Sequence, residues 1–543
     1  MSRAQPDRRN VLFGSLAGVV ATGLPGRIEA GLIPSLTIDD TGPGRPISPL
    51  IYGSNEIGVM DGGLASAVLD AAAGVTARRL GGDLMTGYNW LNNACHAGKN
   101  HHHSNGPFLL EALQVPASDW DRPAAVIETM HAASLAIGAK SLVTLPLSPY
   151  LAADRLGRVG EAEATPSPRF VPANWSLTDV PGTVSLPRLV AHLAERYGSS
   201  ASPGGIHGYA LDNEPGIWHQ THPRLFPGRL QILAFIDRSI AAARAIKTID
   251  PSARVFGPSS WGATEFVTFQ NAPDWPRHRA YGSFLGLYLD SFRRASEQDG
   301  RRLLDALDIH WYAFLEKGGL FRSEDPAHDQ ARLDAPRSLS EPGFVEQSWV
   351  PRALAQSGGA LSLPLLPSLH RLIDRWFPGT ALAITEFNYG GAGQLTSGLA
   401  LADALGRFAT GGVAMATHWG SLPGWLGEAY RLYRQADPAG RRFGDRALEL
   451  STLGAAEVSA YAASDAAGLA LILINRSQRP VVLDIGLASG RAFAPGTMLG
   501  FDAGTGPTRP LMPETTPQQG GWRLLLPPLA ARRLRLNLAL ARF

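Results

Sequence analysis

Cysteine is nearly missing from this sequence. Cys95 is the single one in 543 residues, so no intramolecular disulfide can form and the fold must rest on burial and hydrogen bonding. A surplus of either charge is missing too: 49 Lys and Arg stand against 47 Asp and Glu, a formal charge of +2 with no dense basic stripe, which excludes a nucleic-acid-binding surface. No apolar run is long enough to read as a stable membrane span, and residues 11–24, the apolar stretch near the start, are interrupted by Gly14, Gly18 and Gly23. There is no internal repeat of fixed period and no long low-complexity segment. No Gly-x-Ser-x-Gly elbow lies between a strand and a helix, which argues against a serine hydrolase.

What is abundant points elsewhere. Twelve Trp, 60 Gly and 41 Pro describe a loop-rich chain with many large flat side chains, a composition that suits the faces of sugars. Arg8 and Arg9 ahead of the short apolar stretch read as a twin-arginine-type export signal over residues 1–30, which places the protein in the periplasm or outside a bacterial cell. Arg27 and Glu29 obscure the cleavage site. That route carries folded proteins, in keeping with a chain that needs no disulfide.

The length suits one domain of barrel size and a smaller one. Between residues 47 and 420 one theme recurs: a short apolar run ending in polar or aromatic residues, then an amphipathic stretch of helical period. The runs expected as strands are 51–55, 75–79, 142–145, 206–213, 254–256, 307–311, 381–386 and 413–419. Eight is the number that a closed parallel barrel needs. Helical spacing is clear at 186–197, 230–246, 284–295 and 399–408. Alternation of this kind predicts an α/β fold, a (β/α)8 TIM barrel, although spacing alone also admits a doubly wound sheet.

After about residue 440 the period changes. Short apolar runs at 448–451, 458–463, 469–475, 481–485 and 522–526, divided by turn residues, predict a C-terminal β-sandwich, and the run at 36–38 is expected to add a strand to it. The expected division is therefore a signal segment to 30, a sandwich strand within 31–46, the barrel over 47–435 and the sandwich over 436–543. Residues 166–181 read as an irregular loop.

A parallel barrel carries its chemistry where the strands finish. The stretch LDNEPG places Asn213 and Glu214 at the end of the fourth strand, and Pro215 is expected to stop the ladder so that both side chains face the mouth. Glu386, in ITEFNYGG, ends the seventh. Two acids facing one sugar ring suit glycoside hydrolysis, one to protonate the leaving oxygen and one to attack or to activate water. Either alone is commonly a solvated strand end; the register of the pair is what carries the reading. Asn55, Arg79, Asp83, Trp261, His310, Tyr312, His418 and Trp419 end other strands with hydrogen-bonding or stacking groups.

Taken together, ISPLIYGSN, RRLGGDLMTGYNWLNNACHAG, GYALDNEPGIWHQTHP, LDIHWY, DAPRSLSEPGFVEQSW, ITEFNYGG, GLALADALGRF and AYRLYR followed by FGD resemble glycoside hydrolase family 44, the endoglucanases and xyloglucanases built as a barrel plus a β-sandwich. The resemblance runs from about residue 45 to beyond 440. It implies a retaining mechanism with Glu214 as general acid/base and Glu386 as nucleophile, Asn213 bonding the sugar 2-hydroxyl, and Tyr312 orienting Glu386. It also implies a β-glucan polysaccharide as partner. Trp90, Trp218, Trp311, Trp349 and Trp419 are candidates for stacking along the chain. The sequence departs from the family pattern at Asp83 where Asn is expected, at Leu91 where Glu is expected, and at Cys95-His96 where small polar residues are usual.

No cofactor is required for this chemistry and no metal ligand is assigned; the family leaves room for a structural calcium that nothing here places. The triplet His101, His102, His103 reads as a polar loop, since consecutive histidines point different ways. A monomer is expected. The substrate stays open between cellulose-like chains or xyloglucan and mannan, xylan or a bacterial exopolysaccharide, as does a non-catalytic polysaccharide-binding protein.

Overall fold

The computed structural model describes residues 33–55, 64–454 and 456–538. The expected export signal lies outside them. Eight parallel strands close into a barrel in chain order: β1 Gly53–Asn55, β2 Ala77–Leu80, β3 Lys140–Leu145, β4 Gly208–Leu211, β5 Arg254–Ser260, β6 Ala306–Tyr312, β7 Ala381–Asn388 and β8 Met415–Trp419. Closure is made by β8 on β1, with Thr417 opposite Gly53 and Trp419 opposite Asn55.

Parallel strands covered by helices are buried on both faces, so they read as near-continuous apolar runs, and LAIT in β7 is wholly buried. One residue from each of seven strands fills the lower barrel: Ala77, Leu142, Ala210, Phe256, Ala306, Ala383 and Met415. Small and large side chains share that layer, so the barrel is a packed core with its chemistry confined to the upper rim.

The connecting helices form where the period predicts. Leu186–Tyr197 starts on Ser185, whose hydroxyl accepts the Arg188 N–H, carries Pro187 in its first turn and ends at Gly198 with φ +83°. Residues 166–181 differ from the expected irregular loop: Phe170–Asn174 is a strand between Tyr150–Ala152 and Val184–Ser185.

Two further sheets lie beyond the barrel. One orders Leu450–Leu453, Ser35–Ile38, Val481–Leu487, Gly521–Leu526 and Thr515–Gln518; the other orders Arg45–Pro46, Arg446–Leu448, Val458–Asp465, Gly468–Asn475, Ala530–Leu538, Phe493–Asp502 and Gly506–Leu511. Leu36, Ile485 and Leu524 of the first meet Leu471, Leu473 and Leu534 of the second in one apolar core, the signature of a sandwich. The run expected at 448–451 is two strands that go to different sheets. Five strands of these sheets escaped the sequence reading, among them Ala530–Leu538, whose three arginines mask a segment buried over most of its length.

Candidate active site

The fourth strand ends earlier than Pro215 would make it. The strand ends at Leu211, with one last bond from the Asp212 N–H to Leu145 O at 3.0 Å; Asp212 itself turns to φ +66°, and its buried carboxylate takes the Thr86 hydroxyl at 2.6 Å and the N–H groups of Leu147 and Asn213. Glu214 follows at φ +49°, with its N–H donated to Ser259 O on β5 at 3.0 Å, and Pro215 then opens a 3-10 turn. Two left-handed residues within three positions are a strained arrangement that this packing holds in place, and it points Asn213 and Glu214 at the mouth.

Glu386 lies on β7 beside His310 of β6. Arg79, at the end of β2, donates to Glu386 Oε1 at 2.7 Å and to Asn213 Oδ1 at 2.9 Å; Tyr312 donates to Glu386 Oε2 at 2.7 Å. Both oxygens of Glu386 thus accept from fixed donors, the pattern of an oriented carboxylate. Arg79 also fixes the amide of Asn213, leaving its NH2 as the donating end. His310 Nδ1 stands 2.9 Å from Glu214 Oε1 and 3.4 Å from Glu386 Oε2. One oxygen of each glutamate and one nitrogen of His310 all lie within 4.8 Å of one another.

The electrostatics separate the two acids. Burial pushes Glu214 up to about 8, the Asp83 carboxylate adds to this, and Arg79 and Arg322 pull the other way; a fifth of the side chain still reaches solvent. Asp83 is itself raised by burial, against a 2.6 Å bond from Asn100. Burial lowers His310 to about 4, so it is a neutral imidazole. Nδ1 is the ring nitrogen that faces both acids, and as an acceptor it takes the hydrogen bond of a protonated Glu214. Glu214, His310 and Glu386 could together ligate a cation, although the Arg79 guanidinium against Glu386 opposes one.

Of the other candidates, Asp83, Trp261, Tyr312, Trp349 and Trp419 are partly exposed at the rim. Several of the expected contacts are instead engaged with partners inside the protein. Trp218 is 1% exposed, stacked on Phe226 with its N–H on Asn213 O, so it props the acid turn from behind. Trp311 stacks on Phe266 outside the barrel wall, Trp90 bonds Ser185 O, and His418 packs edge-on to Phe387 with Nδ1 at Gly420 O. Asn55 is buried with its amide on Thr385 O. A large aromatic at a strand end has two faces of the barrel to choose from, and sequence does not say which it takes. In the histidine triplet His102 is exposed, whereas His101 packs on Phe108 and His103 buries its Nδ1.

Three features escaped the sequence reading. Asp212 anchors the acid turn. Glu265, fully buried, accepts the backbone N–H of Trp261 at 3.3 Å and packs on Gly216, where a Cβ would come within 2.7 Å of its carboxyl carbon. Phe314, Phe321 and Arg322 join Trp261 and Trp349 around a recess of about 460 Å³. Only Asp212 had a signal, its place in the same LDNEP stretch.

A closed (β/α)8 barrel with two acids brought together from the ends of β4 and β7 defines a glycoside hydrolase. Comparison with known proteins agrees. The model of glycoside hydrolase family 44 matches residues 86–314. Endoglucanase A of Paenibacillus lautus is 35% identical over 524 residues, covering 93% of this chain and 72% of that one. Among solved structures, a family 44 endoglucanase of Clostridium thermocellum superposes with a TM-score of 0.85 at 34% identity, over 93% of this chain and all of the other. A family 44 xyloglucanase of Paenibacillus polymyxa, solved also with xyloglucan, gives 0.85 at 34% identity over 93% and 99%. This chain belongs to glycoside hydrolase family 44.

Proposed function

We propose that the protein is an exported, retaining endo-β-1,4-glucanase or xyloglucanase in which Glu386 is the nucleophile and Glu214 the general acid/base. The observation that carries the mechanism is the approach of the two carboxyls: oxygens within 4.8 Å leave no room for the water that an inverting enzyme places between acids roughly 6.5–9.5 Å apart. Ionised Glu386 attacks the anomeric carbon while Glu214 gives its proton to the departing sugar oxygen. Glu214, now ionised, takes a proton from water, and that water displaces Glu386 from the same carbon. Asn213, held by Arg79, offers its NH2 to the 2-hydroxyl of the sugar. Both catalytic glutamates and their supports are present, which favours an enzyme over a protein that only binds polysaccharide.

The names of the relatives support a β-glucan substrate, and one, a beta-mannanase/endoglucanase A of Caldicellulosiruptor saccharolyticus, keeps mannan as a second reading. The same proposal assigns residues 1–30 to a twin-arginine-type signal, 47–435 to the catalytic barrel, and 31–46 with 436–543 to the sandwich, in a monomer. Among the described residues no helix is long and apolar enough to cross a membrane.

The test is reducing-sugar release from xyloglucan, carboxymethylcellulose, mannan and xylan by the wild type, Glu214→Gln and Glu386→Gln. Loss of about 10²–10⁴-fold or more in both variants is expected on the preferred polymer. Variants as active as wild type would overturn the assignment.

A further inference from the structure

Behind the acid turn lies a third carboxyl that the two-step chemistry does not use. Glu265 sits in the helix Ala263–Thr268, just after β5, and its side chain is fully buried. Among the described residues no Arg, Lys or His pairs with it, and the ionisable group that faces it is Glu214. An unpaired buried charge is costly, so an acid kept in such a place is kept for its shape and its proton.

Glu265 joins the two segments that cradle Glu214. On one side is the acid turn. Gly216, in the 3-10 turn Pro215–Ile217, comes so close that a Cβ there would lie 2.7 Å from the Glu265 carboxyl carbon and 2.8 Å from Oε2. On the other side is the end of β5, where Trp261 donates its backbone N–H to Oε2 at 3.3 Å. That same strand end receives the Glu214 N–H, on Ser259 O at 3.0 Å. The carboxyl of Glu265 therefore sets the spacing between the turn that carries the acid and the strand that holds its backbone.

The polar atoms around it call for a proton. Ser260 stands beside the carboxyl, yet Ser260 Oγ and Glu265 Oε1 are both buried without a hydrogen-bond partner among the described residues. A carboxylate can only accept, whereas a carboxylic acid also donates, and Ser260 Oγ is the neighbouring acceptor. Burial pushes Glu265 up to about 8; the Trp261 N–H works against this and Glu214 adds to it. The neutral form also suits the reaction. Glu214 becomes an anion when it gives up its proton, and a second anion behind it would oppose that step.

Resting on the assignment of Glu214 as the acid, we propose that Glu265 is its positioning residue, a carboxylic acid held protonated between Gly216 and the end of β5 so that Glu214 keeps its aim while it delivers the proton. Glu265 touches no substrate in this role. It acts on the leaving-group oxygen only through Glu214.

The experiment compares Glu265→Gln, Glu265→Asp and Glu265→Met with wild type on the preferred polymer and on 2,4-dinitrophenyl β-cellobioside, whose leaving group departs without a proton. Glu265→Met is expected to lower kcat/KM on the polymer by about tenfold or more and on the dinitrophenyl substrate by no more than about threefold. Glu265→Asp, which draws the acid back from Gly216, should lose in the same order by a smaller factor. Glu265→Gln keeps the shape and a donor, so it should stay within about threefold of wild type on both, with the alkaline limb of the pH profile unmoved. Equal loss on the two substrates, wild-type activity in both Glu265→Met and Glu265→Asp, or a limb moved to lower pH in Glu265→Gln would overturn the proposal. Failure of the acid assignment reads out separately: Glu214→Gln would then lose as much on the dinitrophenyl substrate as on the polymer, or would still cut the polymer.

Discussion

At the scale of single residues, the site works by placing two like acids in unlike surroundings. Glu386 takes donors on both oxygens, from Arg79 and Tyr312, whereas Glu214 takes none from a cation at hydrogen-bond distance and is raised to about 8 by burial and by Asp83. In the proposed role of general acid Glu214 acts only while protonated, so under that reading the raised value extends activity upward in pH. The kcat/KM profile on a polymer should hold its alkaline limb near pH 8 and not fall away above about 4.5, the ordinary value for a glutamate. The charge of Asp83 opposes ionisation of Glu214. Asp83→Asn should therefore move the alkaline limb to lower pH while leaving the plateau in place, a shift that a pH-rate series on both proteins would read. An unmoved limb would show that burial alone sets the proton.

At the scale of elements, the last strand, Ala530–Leu538, does more than complete a sheet. Arg533 reaches from it into the barrel and donates to Leu432 O and Tyr433 O at 3.0 and 3.2 Å and to Gln435 O at 2.8 Å. These carbonyls finish the helix Trp425–Arg434, where unpaired acceptors and the negative end of the helix dipole favour a cation. Burial lowers Arg533 to about 10, so it keeps its charge at neutral pH. Arg533→Met fills similar space but takes the side-chain donors from Leu432 O and Gln435 O, while Tyr433 O keeps the Phe443 N–H, and should cost about 2 kcal/mol in denaturant-derived stability. The RRLRL pattern also explains why this strand was illegible: alternation of Arg and Leu reads as a half-solvated strand, and only the neighbouring helix end makes the arginine face an interior one.

For the molecule as a whole, the barrel and the sandwich are joined by buried polar contacts as well as apolar ones. Tyr461 of the sandwich bonds Asp403 of the barrel helix Leu395–Thr410, and Arg407 of that helix pairs with the same aspartate. Gly406 is open to Tyr461: a Cβ there would lie 2.2 Å from the ring. The amide of Thr508 donates to Glu428 of the helix that Arg533 caps. With buried charges shared across the boundary, separating the two parts would strand them, so unfolding should be cooperative. Scanning calorimetry is expected to show one transition for the whole chain; two resolved transitions would mean that the interface contributes little.

The sequence by itself determined the alternation of eight strands with helices and which glutamates end the fourth and seventh strands, because each rests on local pattern: apolar runs of strand length at regular intervals, helical period between them, and acids in motifs at those strand ends. It also determined the presence of a second, all-β region. Closure into a barrel, against the doubly wound sheet that spacing also admits, was decided by pairing between distant strands. Tertiary structure decided which of the aromatic and polar strand ends face the cleft. Trp218, Trp311, Trp90 and His418 were candidates of the same kind as Trp261 and Trp349, yet the first four are buried against helices and loops while the last two stand open in the recess. It also decided where β4 stops, since the turn at Asp212 depends on Thr86 and the Leu147 N–H, which lie far away along the chain. A strand end specifies what chemistry is available; the direction a side chain takes depends on neighbours that only folding brings beside it.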